Sequence, residues 1–455
     1  MDWLTQRSVI QYIGPSSRKS ADTCGYCRNS ETPIVHSEDS DDDADPSENR
    51  SRCFGLGAIR VYSHEAEVLL NTGWSWSGRY LYKPEMERTC CPLYTIRLDA
   101  PKFALSRSQK RVLRIWRDYL QYDKRVATKT PFSKGKSAAY AGPRALKAPT
   151  PRRTEPRPTA GRKRKEMRKE RAINRLREKG VNIDEYQRSR LEQENARQRT
   201  LEDYLCNHQD GWRHKLELRI VTEGTKEFSE SFEESFNVYR KYQNHIHNDH
   251  DCTRKGFQSF LIDNPFVPRE YGELYPGGPS EGGQHIQYLI DGKIVAVGVV
   301  DILPYCLSSA YFYYDPDYQF LNFGTYSALR EVELTRQICR YNPHFRYYYM
   351  GYYVHNCRKM RYKAAFRPSE LLCNKTHQWV SLPECLRMLD QNEGRYTTFV
   401  DGPAANRDGT LSDVQPIKYE FENFEKVEPT DELAEKLEPL VKYLGKNCNR
   451  FYVIV

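Results

Sequence analysis

Apolar and polar residues alternate in two long stretches of this chain, and each stretch predicts a folded domain. Between about residues 58 and 118, VYSHEAEVLLN has the spacing of an amphipathic helix, YTIRL that of a strand, and SRSQKRVLRIWRDYL that of a second helix. Gly73 is predicted to end the first of these helices, because glycine is a common residue just after a helix. We therefore predict a small N-terminal domain over residues 1–125.

A longer patterned stretch follows residue 206. KLELRIVT alternates as a strand and SFEESFNVYRKYQNHIH as a helix, and GGQHIQYLIDGKIVAVGVVDILP contains two strands joined by Asp291-Gly292, a strong hairpin signal. SSAYFYYDPDY and YYYMGYYVH predict two further strands on either side of the helix TYSALREVELTRQICR. The order predicts an α/β (α+β) domain over residues 206–455, with a central crevice built from tyrosines.

Residues 126–205 between these stretches have a different composition. Pro, Ala, Thr, Lys and Arg dominate at first, and the charged helices that follow have few apolar positions. Residues 126–180 hold 18 Lys or Arg against 4 Asp or Glu, although the whole chain has a net charge of only +9. This segment is predicted to be either a solvated linker or a phosphate-binding arm for nucleic acid.

The totals limit where the protein works. The 455 residues include 13 cysteines, an odd number without framework spacing, and MDWLTQRSVI lacks the pattern of a signal peptide. No apolar run approaches the roughly 18 residues needed to cross a bilayer. These features predict a soluble protein in a reducing compartment. We therefore predict a cytoplasmic monomer without a membrane partner, with the nucleus as a second location.

Four cysteines near the N-terminus predict a metal centre. Cys24 and Cys27 form a CxxC pair, and Cys90 and Cys91 are adjacent. Four thiolates suit zinc or an iron-sulfur cluster, while adjacent cysteines do not form an ordinary zinc-ribbon knuckle. Thiols without a metal, buried or redox-active, are the alternative.

Polar residues at strand ends predict a second chemical site. Asp301 follows the apolar run VAVGVV, Asp315 and Asp317 end the next predicted strand, and His355 and Asn356 end the fourth. A carboxylate beside an apolar strand is costly unless it is paired or functional. Because strand ends converge in many α/β sheets, we expect these side chains to share one crevice.

The tyrosines and a basic run extend this prediction. YFYYDPDY and RYYYMGYYV offer rings on which a terminal adenosine could stack, with a tyrosine-rich core as the alternative. Arg358, Lys359, Arg361 and Lys363 in HNCRKMRYK supply positive charge for phosphates or a substrate carboxylate.

Several long motifs resemble one family. CGYC, GWSWSGRYLYKPEMERTCCPLYTIR, DGKIVAVGVVDILP, YFYYDPDYQFLNFGTYSALREVELTRQI and YYYMGYYVHNCRKMRYK are similar, in order and spacing, to the eukaryotic arginyl-tRNA-protein transferases. The likeness covers residues 8–125 and about 210–390. It implies a C-terminal domain similar to the GNAT acyltransferase fold and a smaller N-terminal domain that binds zinc or an Fe-S cluster.

The resemblance also implies an activity. Arginine would pass from arginyl-tRNA to the α-amine of proteins that begin with Asp, Glu or oxidised Cys, and would mark them for ubiquitin-dependent degradation in an N-degron pathway. ATP is not needed, because the ester is already activated, and no GxxxxGK loop followed by Ser or Thr is present. The alternatives are a CoA-dependent N-acetyltransferase and a non-catalytic reader of acidic N-termini.

Roles follow for single residues by the same resemblance. Asp301 would hold or deprotonate the ammonium, Tyr353 and His355 would orient the ester, and Arg361 would bind the acidic side chain. The substrate-binding set comprises Gln287, Asp315, Asn356, Arg361 and Tyr362, and the metal-binding set Cys24, Cys27, Cys90 and Cys91.

The chain departs from the family pattern in three places. Ser75 and Trp76 stand where an Arg pair is more frequent, Arg358 replaces a frequent Pro, and Ile286 replaces a Gln. We expect altered contacts with retained chemistry, because Gln287, Asp301 and His355 remain.

Overall fold

The computed structural model describes residues 7–17, 26, 52–125, 164–186, 188–190, 199–205, 211–268, 272–357, 359–420, 423–428 and 430–455. By their contacts, residues Met1–Arg125 and Tyr204–Val455 form one compact unit and Val126–Asp203 a second. The second unit contains the helix α3, Arg164–Glu178, as the charged sequence predicts. The division into domains at residues 125 and 205 stays a prediction.

The strands of the described chain have the following bounds: β1 Ser8–Ser17, β2 Arg52–Tyr62, β3 Ser75–Ser77, β4 Tyr80–Pro84, β5 Tyr94–Asp99, β6 Leu216–Val221, β7 Phe266–Val267, β8 Gly282–Ile290, β9 Lys293–Ile302, β10 Cys306–Tyr314, β11 Tyr347–Tyr353, β12 Ser369–Leu372, β13 Trp379–Ser381, β14 Gln415–Glu420, β15 Asn423–Lys426 and β16 Phe451–Ile454.

The α-helices besides α3 are α1 Ser63–Asn71, α2 Arg107–Tyr122, α4 Leu201–Tyr204, α5 Lys226–Tyr242, α6 Arg254–Leu261, α7 Phe323–Tyr341, α8 Leu382–Gln391 and α9 Asp431–Leu444. A π-helical turn, Gln243–His247, extends α5. Ser106 and Gln109 cap the start of α2 by exchanging hydrogen bonds between side chain and backbone.

Two mixed sheets contain these strands within the described residues. The first has the order β15-β14-β16-β1-β2-β4-β3, with β7 beside β2, and the second has the order β13-β12-β5-β11-β10-β9-β8-β6. Strand β5 lies between β11 and β12, so the N-terminal part of the sequence contributes a strand to the second sheet. The predicted mixture of helices with α/β sheet is therefore confirmed.

The predicted hairpin and crossover are both present. Asp291 and Gly292 join β8 to β9 with φ angles of 52° and 79°, which is the left-handed pair that a type I′ turn requires. Strands β10 and β11 are parallel and are connected through α7. These two local features were readable from turn residues and hydrophobic spacing.

Apolar layers cover both faces of the second sheet. On one face, Phe236 of α5 and Phe257 of α6 pack with Val297 and Tyr313. On the other, Trp116 of α2 stacks on Tyr326 of α7, with ring centroids 3.9 Å apart. The centre of the second sheet is thus held between helices, and a functional group there must be buried or reached through a break in the sheet.

A third apolar cluster joins the two sheets. Leu69 and Leu70 of α1 pack with Leu56 of β2, and the same cluster contains Leu303 and Tyr349 from the second sheet. This contact brings β3 and the end of β9 together, which is the arrangement that builds the pocket described below.

Candidate active site

Strands β10 and β11 separate at the middle of the second sheet. They are paired only where Cys306 to Ser308 lies beside the start of β11, and from there β10 follows β9 while β11 follows β5. The register of β10 shifts between Ser309 and Tyr311, and β11 has a bulge at which Gly351 adopts a φ of 67°. The separation opens a gap between the strands.

A cavity of about 340 Å³ lies at this gap, and we call it the strand-split pocket. Its wall combines the separating strands with β3, the end of α6 and the end of β9. The lining residues are Tyr26, Leu70, Ser75, Trp76, Ser77, Gly78, Tyr82, Phe260, Leu261, Ile262, Asp263, Asn264, Val299, Asp301, Ser308, Ser309, Ala310, Tyr311, Met350, Gly351, Tyr352, Met360 and Lys363.

Asp301 is the buried carboxylate of this pocket, with 3% of its surface exposed. Its Oδ2 accepts a hydrogen bond of 2.7 Å from Trp76 Nε1, and its Oδ1 accepts one of 2.7 Å from Asn264 Nδ2. Burial raises the pKa of Asp301 to about 6, against the opposing effect of the two hydrogen bonds. Since no lysine or arginine of the described chain forms an ion pair with it, Asp301 is suited to bind a cation or to accept a proton.

Glycines make the close approach to Asp301 possible. A Cβ at Gly283, the residue opposite Asp301 on β8, would collide with the side chain of Asn264. At Gly78, after β3, a Cβ would collide with the backbone oxygen of Ser259, and the φ of 54° is also left-handed. Both positions require glycine for β3 and α6 to close over the carboxylate.

Lys363 is the cation among the described residues of this wall. Its Nζ donates a hydrogen bond of 2.7 Å to the backbone oxygen of Tyr352, on the bulged part of β11. The side chain is buried, and burial lowers the pKa of Lys363 to about 8. The ammonium therefore remains mostly charged at neutral pH and could bind an anionic group that enters the pocket.

A second buried carboxylate stands behind the wall. Glu331 of α7 accepts a hydrogen bond of 2.7 Å from the Tyr348 hydroxyl, and it is also hydrogen-bonded to Ser309. Burial raises the pKa of Glu331 to about 7. A Cβ at Gly298 would lie 3.3 Å from Glu331 Oε1, so the glycine leaves room for the carboxylate against the sheet. Glu331 holds Ser309 at the point where β10 leaves β11.

The expected convergence of all strand ends is wrong. Because β9 and β10 are antiparallel, Asp301 pairs with Ser308 near the start of β10, whereas Asp315 follows its far end. Six residues of strand, about 20 Å, separate the two ends. Asp315 and Asp317 instead bind the Nζ of Lys241, at 2.6 and 2.7 Å. Asp315 also caps the short helix that follows it.

The predicted residues at the end of β11 form another group. The Tyr353 hydroxyl lies 3.1 Å from His355 Nδ1, and His355 Nε2 lies 3.0 Å from Asp390 Oδ1. Asn356 Nδ2 donates to the backbone oxygen of Glu393. Burial raises the pKa of Tyr353, and its contact with the exposed Arg361 opposes that rise. Neither Tyr353 nor His355 lines the strand-split pocket. Successive residues of a strand face opposite sides, and on β11 the side chain of Tyr352 faces the pocket.

The remaining predicted substrate-binding residues also lie apart from Asp301. Gln287 is buried and its Nε2 donates to the hydroxyl of Ser231 on α5, at 2.7 Å. Tyr362 is 41% exposed and packs edge to face near Phe366. Neither is part of the wall of the strand-split pocket.

Two of the four predicted metal ligands can be located. Cys90 and Cys91 are buried in a small cluster with Cys357 and Tyr352, and Tyr26 packs against that cluster. Cys24 and Cys27 lie outside the described residues. Tyr26 stands between those two cysteines in the sequence. The four-thiolate site stays a prediction. Among the described residues, no group of three or more His, Cys, Asp or Glu has the geometry of a metal site.

Trp76 and Asn264 were not predicted as partners of Asp301. They come from positions 225 and 37 residues away in the sequence, so no local pattern connects them to it. Trp76 was visible only as a departure from a family pattern, and Lys363 only as one of four basic residues. The contacts of Trp76 and Asn264 with Asp301 are therefore a consequence of tertiary structure.

Comparison with known proteins gives the context for this geometry. A family model described as arginine-tRNA-protein transferase, N terminus, matches residues 22–111, and one described as arginine-tRNA-protein transferase, C terminus, matches residues 234–373. Arginyl-tRNA–protein transferase 1 of Drosophila melanogaster is 30% identical, over 97% of this chain and 98% of that protein. The chain belongs to the arginine-tRNA-protein transferase family.

Other relatives of this transferase extend the comparison. Arginyl-tRNA–protein transferase 2 of Arabidopsis thaliana is 28% identical over 82% of this chain and 75% of its own. The aspartate/glutamate leucyltransferase of Pseudomonas aeruginosa is 32% identical over 33% of this chain and 56% of its own. The family membership confirms an aminoacyltransferase, as the sequence motifs predicted.

In the parts of the chain that the structure describes, the helices are too short or too polar to span a bilayer.

Proposed function

We propose that this enzyme transfers arginine from arginyl-tRNA to the N-terminal α-amine of proteins that begin with Asp, Glu or oxidised Cys. The observation that carries the proposal is Asp301, a buried carboxylate with two neutral hydrogen-bond donors in a pocket between separating strands. A buried carboxylate of raised pKa in a cleft is a common feature of catalytic sites. An acceptor amine supplies the positive charge that Asp301 lacks.

The transfer then needs one proton acceptor. Asp301 takes a proton from the α-ammonium, and the freed nitrogen attacks the carbonyl carbon of the arginyl ester. As the C–N bond forms, the C–O bond to the terminal ribose breaks, and the second proton of the nitrogen passes to the departing ribose oxygen. With a pKa of about 6, Asp301 is mostly ionised at neutral pH and can still hold the proton briefly.

The acidic side chain of the acceptor needs a cation. Lys363 lines the same pocket as Asp301, which supports it for this role, whereas the exposed Arg361 contacts Tyr353. An ammonium binds a carboxylate or a sulfonate as a point charge, so Asp, Glu and oxidised Cys would all be accepted. The role that the resemblance implied for Arg361, which is to bind this acidic side chain through its guanidinium group, stays a prediction.

The topology supports a GNAT-like acyltransferase fold for the second sheet. Antiparallel β8, β9 and β10 are followed by α7 and by β11, which is parallel to β10 and then separates from it. A gap between central parallel strands can admit an acyl donor to an amine acceptor from opposite sides. Here the donor would be the arginylated 3′ end of tRNA.

The four cysteines would bind zinc or an iron-sulfur cluster. Cys90 and Cys91 are buried beside Tyr26, and the CxxC pair Cys24 and Cys27 supplies two further thiolates. Bound metal would fix Tyr26 next to the strand-split pocket, which Tyr26 and Tyr352 both line. Metal analysis and a visible spectrum of anaerobically purified protein would distinguish zinc from a cluster.

The cellular role follows from the product. A new N-terminal Arg would mark the acceptor for ubiquitin-dependent degradation in an N-degron pathway, in the cytoplasm and with the nucleus as a second location. The basic residues 126–180 would add salt-dependent affinity for tRNA.

The test compares donors and acceptors directly. Purified protein is incubated with [³H]arginyl-tRNA or labelled acetyl-CoA, together with peptides that differ only in their first residue. We expect label from arginyl-tRNA on peptides that begin with Asp, Glu or cysteic acid, and little on an Ala peptide. Label from acetyl-CoA, or equal labelling of the Ala peptide, would contradict the proposal.

A further inference from the structure

A second cavity lies on the other side of β4. Successive residues of a strand face opposite sides, and Tyr82 lines the strand-split pocket while Lys83 lines this second cavity of about 260 Å³. We call it the Lys83 pocket. Its lining residues are Lys83, Pro84, Glu85, Met86, Glu87, Arg88, Asn374, Lys375, His377, Tyr396, Ala404, Asn406, Lys442 and Tyr443.

Lys83 is buried, and no described residue gives it an acidic partner. Only 5% of its surface is exposed, and its hydrogen bond to the backbone oxygen of Tyr443 is long, at 3.3 Å. No Asp or Glu of the described chain forms an ion pair with it. A lysine is almost never so buried unless it is paired, because removing an ammonium from water is costly. Burial accordingly lowers the pKa of Lys83 to about 7.

The surrounding charges are mainly positive. Arg88, Lys375 and Lys442 also line the pocket, against Glu85 and Glu87. Glu85 already accepts a hydrogen bond of 2.6 Å from the Tyr443 hydroxyl. Glu85 also lies 3.9 Å from Arg88, with which it forms an ion pair. Among the described residues that line the pocket, two acidic side chains therefore stand against four basic ones, and the excess charge is positive.

His377 adds a neutral polar group to the same wall. It lies in the turn between β12 and β13 with a left-handed φ of 52°. Burial, together with the nearby charge of Lys83, lowers the pKa of His377 to about 3. A neutral imidazole can donate one hydrogen bond to an anion without adding to the repulsion around Lys83.

We propose that the Lys83 pocket is a phosphate-binding subsite. A phosphate group in the cavity would supply the counter-charge that Lys83 lacks and would accept hydrogen bonds from several basic side chains at once. The chemistry fits a phosphate of an RNA backbone or of a free phosphorylated molecule. The inference does not depend on the activity proposed for Asp301, since the pocket lies on the opposite face of β4 and shares no residue with that site.

The first experiment measures the response to inorganic phosphate. Thermal unfolding is followed in phosphate and in chloride at equal ionic strength, for the full-length protein and for Lys83→Met, which keeps the aliphatic stem. Lys226→Met removes an exposed lysine of α5 and is the matched control. We expect phosphate to raise the Tm of the wild type and of the control, and to leave that of Lys83→Met unchanged. Equal responses in all three proteins would overturn the proposal.

A second variant changes exposed residues of the pocket and leaves the buried core unaltered. Lys375 and Lys442 are exposed at the mouth of the pocket, so their exchange for Gln should not disturb folding. We expect the double variant to bind inorganic phosphate about tenfold more weakly, by titration calorimetry. Unchanged affinity would count against the pocket as the site.

Proton uptake gives a readout specific to Lys83. The groups that face it are Glu85, Glu87, Arg88, Lys375, His377, Tyr396, Lys442 and Tyr443. The heat of sulfate binding is measured at pH 8 in two buffers of different ionisation enthalpy. Sulfate does not titrate near neutral pH, so a difference in heat between the buffers gives the number of protons that the protein takes up. Because an anion favours the charged lysine, the wild type should take up protons on binding, and Lys83→Met should not. Binding without any uptake in the wild type would exclude Lys83 from the site.

Competition separates the two sources of phosphate. A short RNA hairpin that carries no amino acid is titrated into the protein with and without inorganic phosphate, at several salt concentrations. If RNA occupies the pocket, phosphate will compete and Lys83→Met will reduce the salt slope by about one. If phosphate binds without affecting RNA, the subsite serves a free phosphorylated molecule.

Discussion

The indole Nε1 of Trp76 donates a hydrogen bond of 2.7 Å to the carboxylate of Asp301, although 225 residues separate them in the sequence. This contact joins β3 of the first sheet to the end of β9 in the second. It stabilises the charged form of Asp301 and partly offsets the effect of burial on its pKa. A residue of the other sheet therefore contributes to the pKa of the proposed base, beside burial and the hydrogen bond from Asn264.

Replacing Trp76 by Phe should change the pH dependence of transfer. The ring would still fill the pocket, but one hydrogen bond to the carboxylate would be lost, at about 1.5–3 kcal/mol. The pKa of Asp301 should rise from about 6 to about 7–8, so kcat/KM at pH 7 should fall about two- to tenfold and recover at higher pH. The acidic limb of the pH–rate profile measures this, with Trp116→Phe as the control. An unshifted limb would separate Trp76 from the titration of Asp301.

Asp301→Asn should abolish most of the turnover. The amide keeps the volume and can still hydrogen-bond, but it cannot accept a proton, and loss of a general base slows a reaction by about 10²–10⁴-fold. Affinity for tRNA should be retained. Single-turnover kinetics with arginyl-tRNA checks both statements. Asp263→Asn, in the same pocket wall, is the matched control, and full activity of Asp301→Asn would remove that residue from the mechanism.

Lys363→Met should reduce the preference for acidic acceptors. The buried ammonium would be lost, so KM should rise for Asp and Glu peptides by about tenfold and change little for an Ala peptide. Arg361→Gln provides the comparison, because Arg361 is exposed and lies beside Tyr353. If the preference disappears in Arg361→Gln and persists in Lys363→Met, the acidic side chain binds at Arg361 and the assignment to Lys363 is wrong.

His214 should make stability depend on pH. Its Nδ1 lies 2.7 Å from Asp291 and its Nε2 lies 3.2 Å from Asp123, which ties the end of α2 to the β8–β9 turn. Burial lowers the pKa of His214, but the two carboxylates outweigh that effect and leave it above 6.5. The stabilisation is complete below pH 6.5 and is lost as the pH rises through the raised pKa.

The variant His214→Asn tests this linkage. The difference in free energy of unfolding between wild type and variant should be larger at pH 6 than at pH 9, by urea denaturation at both values. His344→Asn, an exposed histidine, is the control. A difference that does not change with pH would show that His214 acts only through packing on Tyr119.

Local signals in the sequence predicted much of the second sheet. Asp291-Gly292 specified the turn between β8 and β9, because Gly and Asp tolerate the left-handed φ angles of a type I′ turn. The spacing of apolar residues from Phe323 to Tyr341 specified the helix between β10 and β11. Both signals act within a few residues, so they do not depend on the rest of the chain.

The same local signals did not predict which strand ends lie close together. Asp301 and Asp315 each follow a predicted strand, but strand direction decides whether two ends meet, and β9 and β10 are antiparallel. Tyr353 and His355 were expected in the crevice, yet a side chain's face depends on the bulge near Gly351, which shifts the register of β11. Neither direction nor register can be read from one strand alone.

The sequence by itself determined the family, the mixed α/β class and the hairpin. It also singled out Asp301 as a carboxylate after an apolar strand, and the role of that residue stays a prediction. Tertiary structure alone decided that Trp76 and Asn264 bind Asp301, that Lys363 lines the same pocket, and that Lys83 is buried with no acidic partner among the described residues. The physical reason is that helices and turns depend on neighbouring residues, whereas a buried charge depends on groups brought close by the packing of separate sheets.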